Sequence, residues 1–169
     1  HLRAAEATGE TTGRSSDDIE ADLYQERFLV KRALLRAIRH ADGPPLVTSG
    51  LIDPGRCHWG SRPVTFAKRS FAAPRVDLSK LDGRFPAWAA RKLVPKVLVA
   101  NQTRVVEAVA DPDGAWLPGV PVSTVTPLDG PGAVGVWELA AVLTAPVASV
   151  HAWHVGGGTG LSTRTIRLG

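Results

Sequence analysis

Lys and Arg residues are concentrated in the middle of the chain. The segment from Pro54 to Arg104 contains eleven of them and two acids, an excess of nine positive charges. From Val105 to Thr163 there is no Lys or Arg, and there are five acids. A basic segment next to an acidic one is typical of a surface that faces a polyanion. The alternative is that folding scatters these charges over a solvated surface.

A polar turn is predicted directly after the most apolar strand of the sequence. The strand is Lys96–Ala100, and Asn101, Gln102, Thr103 and Arg104 follow it. Arg is a common partner of guanine and Asn or Gln of adenine, and the end of a buried strand holds such groups rigidly. The alternative is ordinary turn chemistry, in which Asn and Thr bond to their own backbone.

Groups that could support catalysis or bind a metal are sparse. Cys57 and His58 are adjacent and point apart, so we expect a small buried Cys rather than a nucleophile. His151 and His154 can share a helix face, but a structural zinc site needs about four ligands. The glycines of 156–160 lack the Lys of a P-loop; their amides could hold a phosphate, or they could simply end a helix. We predict no catalytic residue and no metal ligand.

Two long helices and several short strands must position these groups. The first helix is predicted over Asp17–Ala41, because acids fill its first turns, bases fill its last turns, and Gly43 and Pro44 follow. The second is predicted over Val136–Val155, with a kink or interruption at Pro146. Strands are predicted at Leu46–Ser49, Arg56–Trp59, Val64–Phe66, Lys96–Ala100, Arg104–Ala110 and Val120–Val125, with a possible helical turn near Trp88. The predicted class is α+β, a mixed or antiparallel sheet flanked by two long helices in a single domain.

Three stretches occur in an order that resembles a known family. They are Val47–Pro54 with Trp59 and Gly60, then Pro95–Arg104 with Asp111–Gly114, and then Leu139–Val150 with Gly158–Gly160. Together they resemble the TaqI-like C-terminal specificity domain, or target recognition domain, of bacterial N6-adenine DNA methyltransferases and of type I and type IIG restriction–modification proteins. The resemblance covers about Leu46 to Leu168. It departs from the family at Thr144 and Ala145, where Asn-Ser is frequent.

The resemblance implies sequence-specific recognition of double-stranded DNA. A methyltransferase domain, in the same chain or in a separate subunit, would flip out and methylate the target adenine. The catalytic Asn-Pro-Pro-Tyr-type motif of the family has no counterpart here, so the fragment itself is expected to be non-catalytic. No cofactor is expected in the fragment, and S-adenosylmethionine is expected for the parent protein.

The residues expected to contact DNA are polar or basic. They are Ser49, Arg56, His58, Arg62, Lys68, Arg69, Lys96, Asn101, Gln102, Thr103, Arg104, Thr159 and Arg164. The basic members would neutralise phosphates and make the affinity sensitive to salt. Trp59 could stack on a base, although core packing is the more common role for Trp.

The predicted organisation is an arm or linker over residues 1–16, a connecting helix over 17–43 and the DNA specificity domain over 44–169. A single Cys, the absence of a signal-peptide pattern and the absence of a run of ~18 apolar residues predict a cytoplasmic protein. The lack of Met and the start at His1 predict a fragment of a longer bacterial chain. Two other functions stay open: a protein-interaction or scaffold domain that docks an acidic partner, and a small stand-alone hydrolase.

Overall fold

The structure, a computed structural model, describes residues 16–39, 42–101 and 103–156, and for residues 16–24 the backbone alone. The helices of this part are α1 (Ser16–Ala37), α2 (Phe85–Lys92), α3 (Val136–Thr144) and α4 (Pro146–Gly156), with 3-10 helices at Ser49–Leu51 and Leu78–Lys80. The strands are β1 (Ile38–Arg39), β2 (Leu46–Val47), β3 (Ile52–Asp53), β4 (Arg56–Cys57), β5 (Val64–Phe66), β6 (Arg69–Phe71), β7 (Arg75–Val76), β8 (Lys96–Val99), β9 (Ala108–Asp111), β10 (Leu117–Pro118) and β11 (Ser123–Val125). The predicted α+β class is confirmed.

The largest sheet of the described residues is antiparallel, with the strand order β11-β8-β9. Successive side chains of a strand point to opposite faces. Accordingly, Val97 and Val99 pack toward α3 and α4, whereas Leu98 and Ala100 join the core on the other side. All four are buried, which confirms that this strand is apolar because both of its faces are covered.

The main core includes the C-terminal half of α1. Val30, Leu34 and Ala37 are buried in one cluster with Leu46 and Leu51. Helical spacing predicts Ile19, Leu23, Val30, Leu34 and Ile38 for the core. Val30, Leu34 and Ile38 are buried, and the side chains of Ile19 and Leu23 lie outside the described part of the structure. The segment interpreted as a connecting helix therefore packs into the same core as the residues that follow it.

The first long helix ends earlier than the sequence indicates. The helix predicted to reach Ala41 ends at Ala37, because Ile38 and Arg39 pair with Val76 and Arg75 as strands β1 and β7. Helical spacing continues through Ile38, but the backbone bonds of a strand pair replace those of a further helical turn. Ile38 is still buried, as a strand residue.

The second predicted helix is two helices. The chain leaves helical geometry at Ala145 and re-enters it at Pro146, and α3 and α4 are bent by 64°. This confirms the expected interruption, because Pro lacks an N–H and its ring clashes with the preceding turn. Within the described residues no single helix is long and apolar enough to cross a membrane. The bent α3–α4 pair reaches that length and apolar character only when the two helices are counted together.

Short strand pairs complete the fold and place the loops. β3–β4 and β5–β6 are antiparallel hairpins, and β10 runs parallel to β2. The predicted strand at Val64–Phe66 is confirmed, and the helical turn near Trp88 is α2. The strands predicted at Arg104–Ala110 and Val120–Val125 begin later, at Ala108 and at Ser123. A cis peptide bond between Val120 and Pro121 precedes β11.

Candidate nucleic-acid interface

The β3–β4 hairpin presents Arg56 to solvent. Its turn is Pro54-Gly55, and the amide of Gly55 donates a hydrogen bond to the carbonyl of Ala108 at 2.8 Å. This bond ties the turn to β9, so the hairpin is anchored to the central sheet. Arg56 is exposed beside that anchor.

His58 and Arg62 are both held by Asp53. Two guanidinium nitrogens of Arg62 donate to the Asp53 carboxylate at 3.1 and 3.0 Å, and Nε2 of His58 lies 2.8 Å from Oδ2. Arg62 also donates to the carbonyl of Gly50 at 3.0 Å. These bonds fix the loop between β3 and β5, so both residues have a structural role whether or not they reach a ligand.

The electrostatics of this cluster follow from its pairing. The bonded Arg62 guanidinium holds the pKa of Asp53 below its ordinary value, and His58 contributes in the same direction. Asp53 in turn raises the pKa of Arg62. Partial burial raises the pKa of Glu107, and the Asp53 charge adds to the rise while Arg62 opposes it. The cluster contains two carboxylates, so its cations are largely compensated.

The β5–β6 hairpin carries Lys68 and Arg69, and none of its own residues is an acid that could compensate their charge. Phe66 pairs with Arg69, so the loop consists of Ala67 and Lys68 alone. Both loop residues have positive φ, 50° and 65°, as a type I′ turn requires. That turn normally contains Asn or Gly, so Ala and Lys are strained there. Lys68 and Arg69 are exposed at this tip.

Trp59 is occupied by contacts inside the protein. Its indole N–H donates to the carbonyl of Pro74 at 2.9 Å, and the guanidinium of Arg75 lies 4.5 Å from the ring centre. Arg75 also donates to the carbonyl of Gly43 at 2.7 Å. The ring therefore has the packing role, and a base would have to displace Arg75 to stack on it.

Lys96 is withdrawn from the expected DNA contacts, because it is fully buried. Its ammonium donates to Asp111 at 2.5 Å and to the carbonyl of Val94 at 3.2 Å. Burial lowers the pKa of Lys96, and the bond to Asp111 opposes that fall by favouring the charged form. Lys96 thus pairs inside the protein with Asp111, the acid at the end of the neighbouring strand, and has no exposed surface with which to contact DNA.

Asp111 organises the turn that follows β9. Its carboxylate accepts hydrogen bonds from the amides of Ala115 and Trp116 at 2.9 and 3.0 Å. Gly114 has a φ of +63°, and a Cβ there would lie 2.5 Å from the backbone of Val94, so only Gly fits. The Asp111–Gly114 stretch is therefore structural in this fold.

The polar turn after β8 is divided between buried and exposed residues. Asn101 is buried, and its amide donates to the carbonyl of Pro121 and to Ser123 Oγ. Thr103 Oγ1 donates to the carbonyl of Val105 at 2.5 Å. Arg104 is exposed, and its own carbonyl accepts a bond from Trp153 Nε1 at 2.8 Å. Thr103 thus shows the alternative turn chemistry, Asn101 instead ties the turn to the segment that leads into β11, and Arg104 is exposed to a partner.

A cleft of about 340 Å³ lies beside the β5–β6 hairpin. Its walls come from α1, the Thr48–Gly50 segment, the β5–β6 hairpin with the residue before it, and the cis peptide pair at 120–121. Among the described residues that line it, Lys31 is the charged one, and its ammonium lies 6.0 Å from the ring centre of Phe66. Lys68 directly follows the lining residue Ala67. We call Lys31, Lys68 and Arg69 the basic edge.

No family model matches the chain. No curated protein and no solved structure matches it either. The resemblance to a DNA specificity domain therefore stays a prediction, and any function has to be argued from the residues and their geometry.

Folding divides the eleven basic residues of the 54–104 segment. Four are engaged within the protein and not exposed: Arg62 with Asp53, Arg75 with Trp59, Lys92 with Thr124, and Lys96 with Asp111. Seven are exposed: Arg56, Lys68, Arg69, Lys80, Arg84, Arg91 and Arg104. Of these seven, Arg84 lies 3.9 Å from Glu26 and the guanidinium of Arg69 lies 5.8 Å from the ring centre of Phe71. The eleven do not act as one group, so the cationic surface is smaller than the sequence count suggests. Gln102, Thr159 and Arg164 lie outside the described residues.

Sequence reasoning missed Lys31 and Thr48. Lys31 lies in the first helix, outside the basic segment, and only the packing of α1 brings it to the cleft. Thr48 lies beside the expected Ser49 in an apolar stretch, where a buried hydroxyl is unremarkable from sequence. The sequence feature that could have identified Thr48 is its position in Val47–Pro54, the first stretch of the resemblance.

Proposed function

We propose that the chain is a double-stranded DNA recognition module, the specificity part of an adenine-N6 methyltransferase or restriction–modification protein. The observation that carries the proposal is the basic edge beside a polar cleft. Lys68 and Arg69 project from a tight hairpin with a strained turn, and Lys31 approaches it from α1. Backbone strain of this kind persists only where the surrounding structure holds it in place, and strained residues cluster at functional sites.

The arrangement of the first two resembling stretches supports the same proposal. The stretch that ends at Pro54 leads into a turn bonded to Ala108 of β9, and β9 pairs with β8 of the second stretch. One framework therefore carries Arg56 at the start of β4 and Arg104 on the loop between β8 and β9, and both side chains are exposed. Loops on a rigid scaffold are the usual place for binding residues.

Under this proposal, catalysis of the methyl transfer belongs to a partner domain. The module grips and reads the duplex, and a methyltransferase domain in cis or in trans binds S-adenosylmethionine and modifies the adenine. The side chains of the Asp53 cluster bond to one another and to the loop backbone, which suits a positioning role. The expected compartment is the bacterial cytoplasm, where the DNA is.

The test is a fluorescence anisotropy titration of a labelled duplex at about 50 and about 200 mM salt, since each neutralised phosphate changes the slope of log affinity against log salt by about −0.9. We expect affinity to fall steeply between the two conditions. Repeated selection from randomised duplexes should then enrich one short sequence. Affinity that does not respond to salt would overturn the proposal, and salt-dependent binding without an enriched sequence would reduce it to non-specific DNA binding.

A protein-docking function is the second candidate, because α3 and α4 expose apolar side chains. Trp137, Val142, Val147 and Val150 are all more than half exposed. Apolar groups gathered on surface helices are typical of protein contacts. Replacing Val147 and Val150 by Ser should leave DNA affinity unchanged, and protein binding that this variant weakens, without any duplex binding, would favour this second function.

A further inference from the structure

We infer that Lys31, Thr48 and Ser49 form a phosphate-binding site in the cleft beside the β5–β6 hairpin. The inference rests on the proposed function, because we assign the phosphate to the DNA backbone. It goes further by naming three side chains that make the contact and by giving α1 a place in the interface.

The cleft holds two hydroxyls that lack partners. Thr48 is 5% exposed, and neither its Oγ1 nor the buried Oγ of Ser49 has a hydrogen-bond partner within the described part of the chain. Buried polar groups are almost always bonded, so such atoms point to a missing partner. Both residues line the cleft, and a ligand there is the simplest partner for both.

The packing of Thr48 directs its hydroxyl. Gly119 lies against the methyl group, since a Cβ on Gly119 would lie only 2.8 Å from Cγ2 of Thr48. With the methyl held on that side, we assign the hydroxyl to the side of the cleft, which Thr48 lines. A hydroxyl can turn its proton toward an acceptor there without moving the backbone.

The donor set fits a phosphate. Two hydroxyls and one ammonium can donate, and phosphate oxygens only accept and carry negative charge. No acid is among the described residues that line the cleft, so nothing there repels an anion. The remaining lining includes Val64, Val120 and Pro121, apolar surface suited to the sugar next to a backbone phosphate.

The experiment uses three variants and one matched control. Lys31→Gln removes the charge, while Thr48→Val and Ser49→Ala remove the hydroxyls with little change in shape. Arg32→Gln removes an exposed positive charge from the adjacent position of α1, outside the cleft lining. Thr48→Val should also unfold at higher denaturant concentration than wild type, because it removes an unpartnered buried hydroxyl, so lost binding cannot be ascribed to unfolding.

Two probes separate the sources of phosphate. Inorganic phosphate is titrated while the amide resonances of Thr48, Ser49 and Gly50 are followed by NMR, and labelled duplex is titrated by anisotropy. We expect phosphate to shift these resonances and to compete with DNA. Each variant should weaken duplex binding by about tenfold, and Lys31→Gln should also make the salt slope shallower by about 0.9. Arg32→Gln should leave the three resonances and their phosphate response as in wild type.

The outcomes distinguish this inference from the function on which it rests. Salt-dependent duplex binding that is unchanged in all three variants, with no phosphate response, overturns the site and leaves the function standing. A phosphate response that the variants abolish, without any duplex binding, supports the phosphate site and overturns both the DNA function and its assignment to the backbone. Equal losses in Lys31→Gln and Arg32→Gln would show a general charge effect and overturn the site.

Discussion

At the scale of single residues, position decides whether a charge serves the fold or a partner. Lys96 and Lys68 are both lysines of the basic segment, yet one is buried against Asp111 and the other stands exposed on a hairpin tip. Desolvating a charge is costly, so the buried lysine requires its acid. A count of basic residues along the chain cannot distinguish the two.

Asp53 and Glu107 should affect stability in opposite directions as pH changes. The pKa of Asp53 is below its ordinary 3.8 in the fold, so its stabilisation is present above that value and is lost as pH falls through the folded pKa. The pKa of Glu107 is above its ordinary 4.5, so its relative stabilisation is present below that value and is lost as pH rises.

We expect Glu107→Gln to gain stability relative to wild type as pH rises from about 4 to 7, because the variant keeps a neutral side chain in the same place. Asp53→Asn should lose stability relative to wild type at lower pH, as pH rises from about 2 to 5, because the stabilisation by ionised Asp53 develops over that range. Urea unfolding at several pH values measures both. If the unfolding free energies of wild type and Glu107→Gln changed in parallel with pH, a raised pKa of Glu107 in the fold would be contradicted.

The Lys96–Asp111 pair gives a prediction about stability. Lys96→Met should cost roughly 3–5 kcal/mol of unfolding free energy, because it leaves a buried carboxylate without its cation. Adding Asp111→Leu should recover only part of that loss, since the amides of Ala115 and Trp116 then lose their acceptor. Urea unfolding of the single and double variants provides the measurement, and a loss under about 1 kcal/mol for the single variant would exclude a buried pair.

At the scale of elements, the β5–β6 hairpin shows strain that the fold tolerates. Its two loop residues occupy the left-handed region without being Gly or Asn. Either of them changed to Gly would relieve that strain, but only one of the two changes removes a charge. The hairpin therefore provides a matched pair of variants.

Ala67→Gly and Lys68→Gly should each raise the unfolding free energy by about 0.5–1 kcal/mol, the strain relieved less the added chain entropy of Gly. Only Lys68→Gly should weaken duplex binding and make its salt slope shallower. Thermal unfolding and anisotropy titration of both variants are the measurements. If Ala67→Gly weakens DNA binding as much as Lys68→Gly, the turn's shape matters and the charge does not.

At the scale of the whole molecule, two cores share one sheet. Alternate residues of β8 enter the cluster with α1 or the cluster with α3 and α4. The basic edge belongs to the first side, because α1 and the β5–β6 hairpin both pack there. Trp137, Val142, Val147 and Val150, the exposed apolar residues of the second candidate surface, belong to α3 and α4, so the two candidate interaction surfaces can be altered separately.

What the sequence by itself determined was local. Apolar spacing identified the buried strand Lys96–Val99 and the core face of α1 around Leu34, and the ring of Pro146 predicted the break between α3 and α4. Each of these depends on neighbours along the chain, where hydrophobic periodicity and the missing N–H of Pro act directly.

Only the tertiary structure decided which polar groups are available. It paired Ile38 with Val76 and so ended α1 early, buried Lys96 against Asp111, and brought Lys31 to a cleft with Thr48. These outcomes depend on partners that are distant in sequence. The free energy of a charge or a hydroxyl depends on what surrounds it in space, and residue type and spacing do not carry that information.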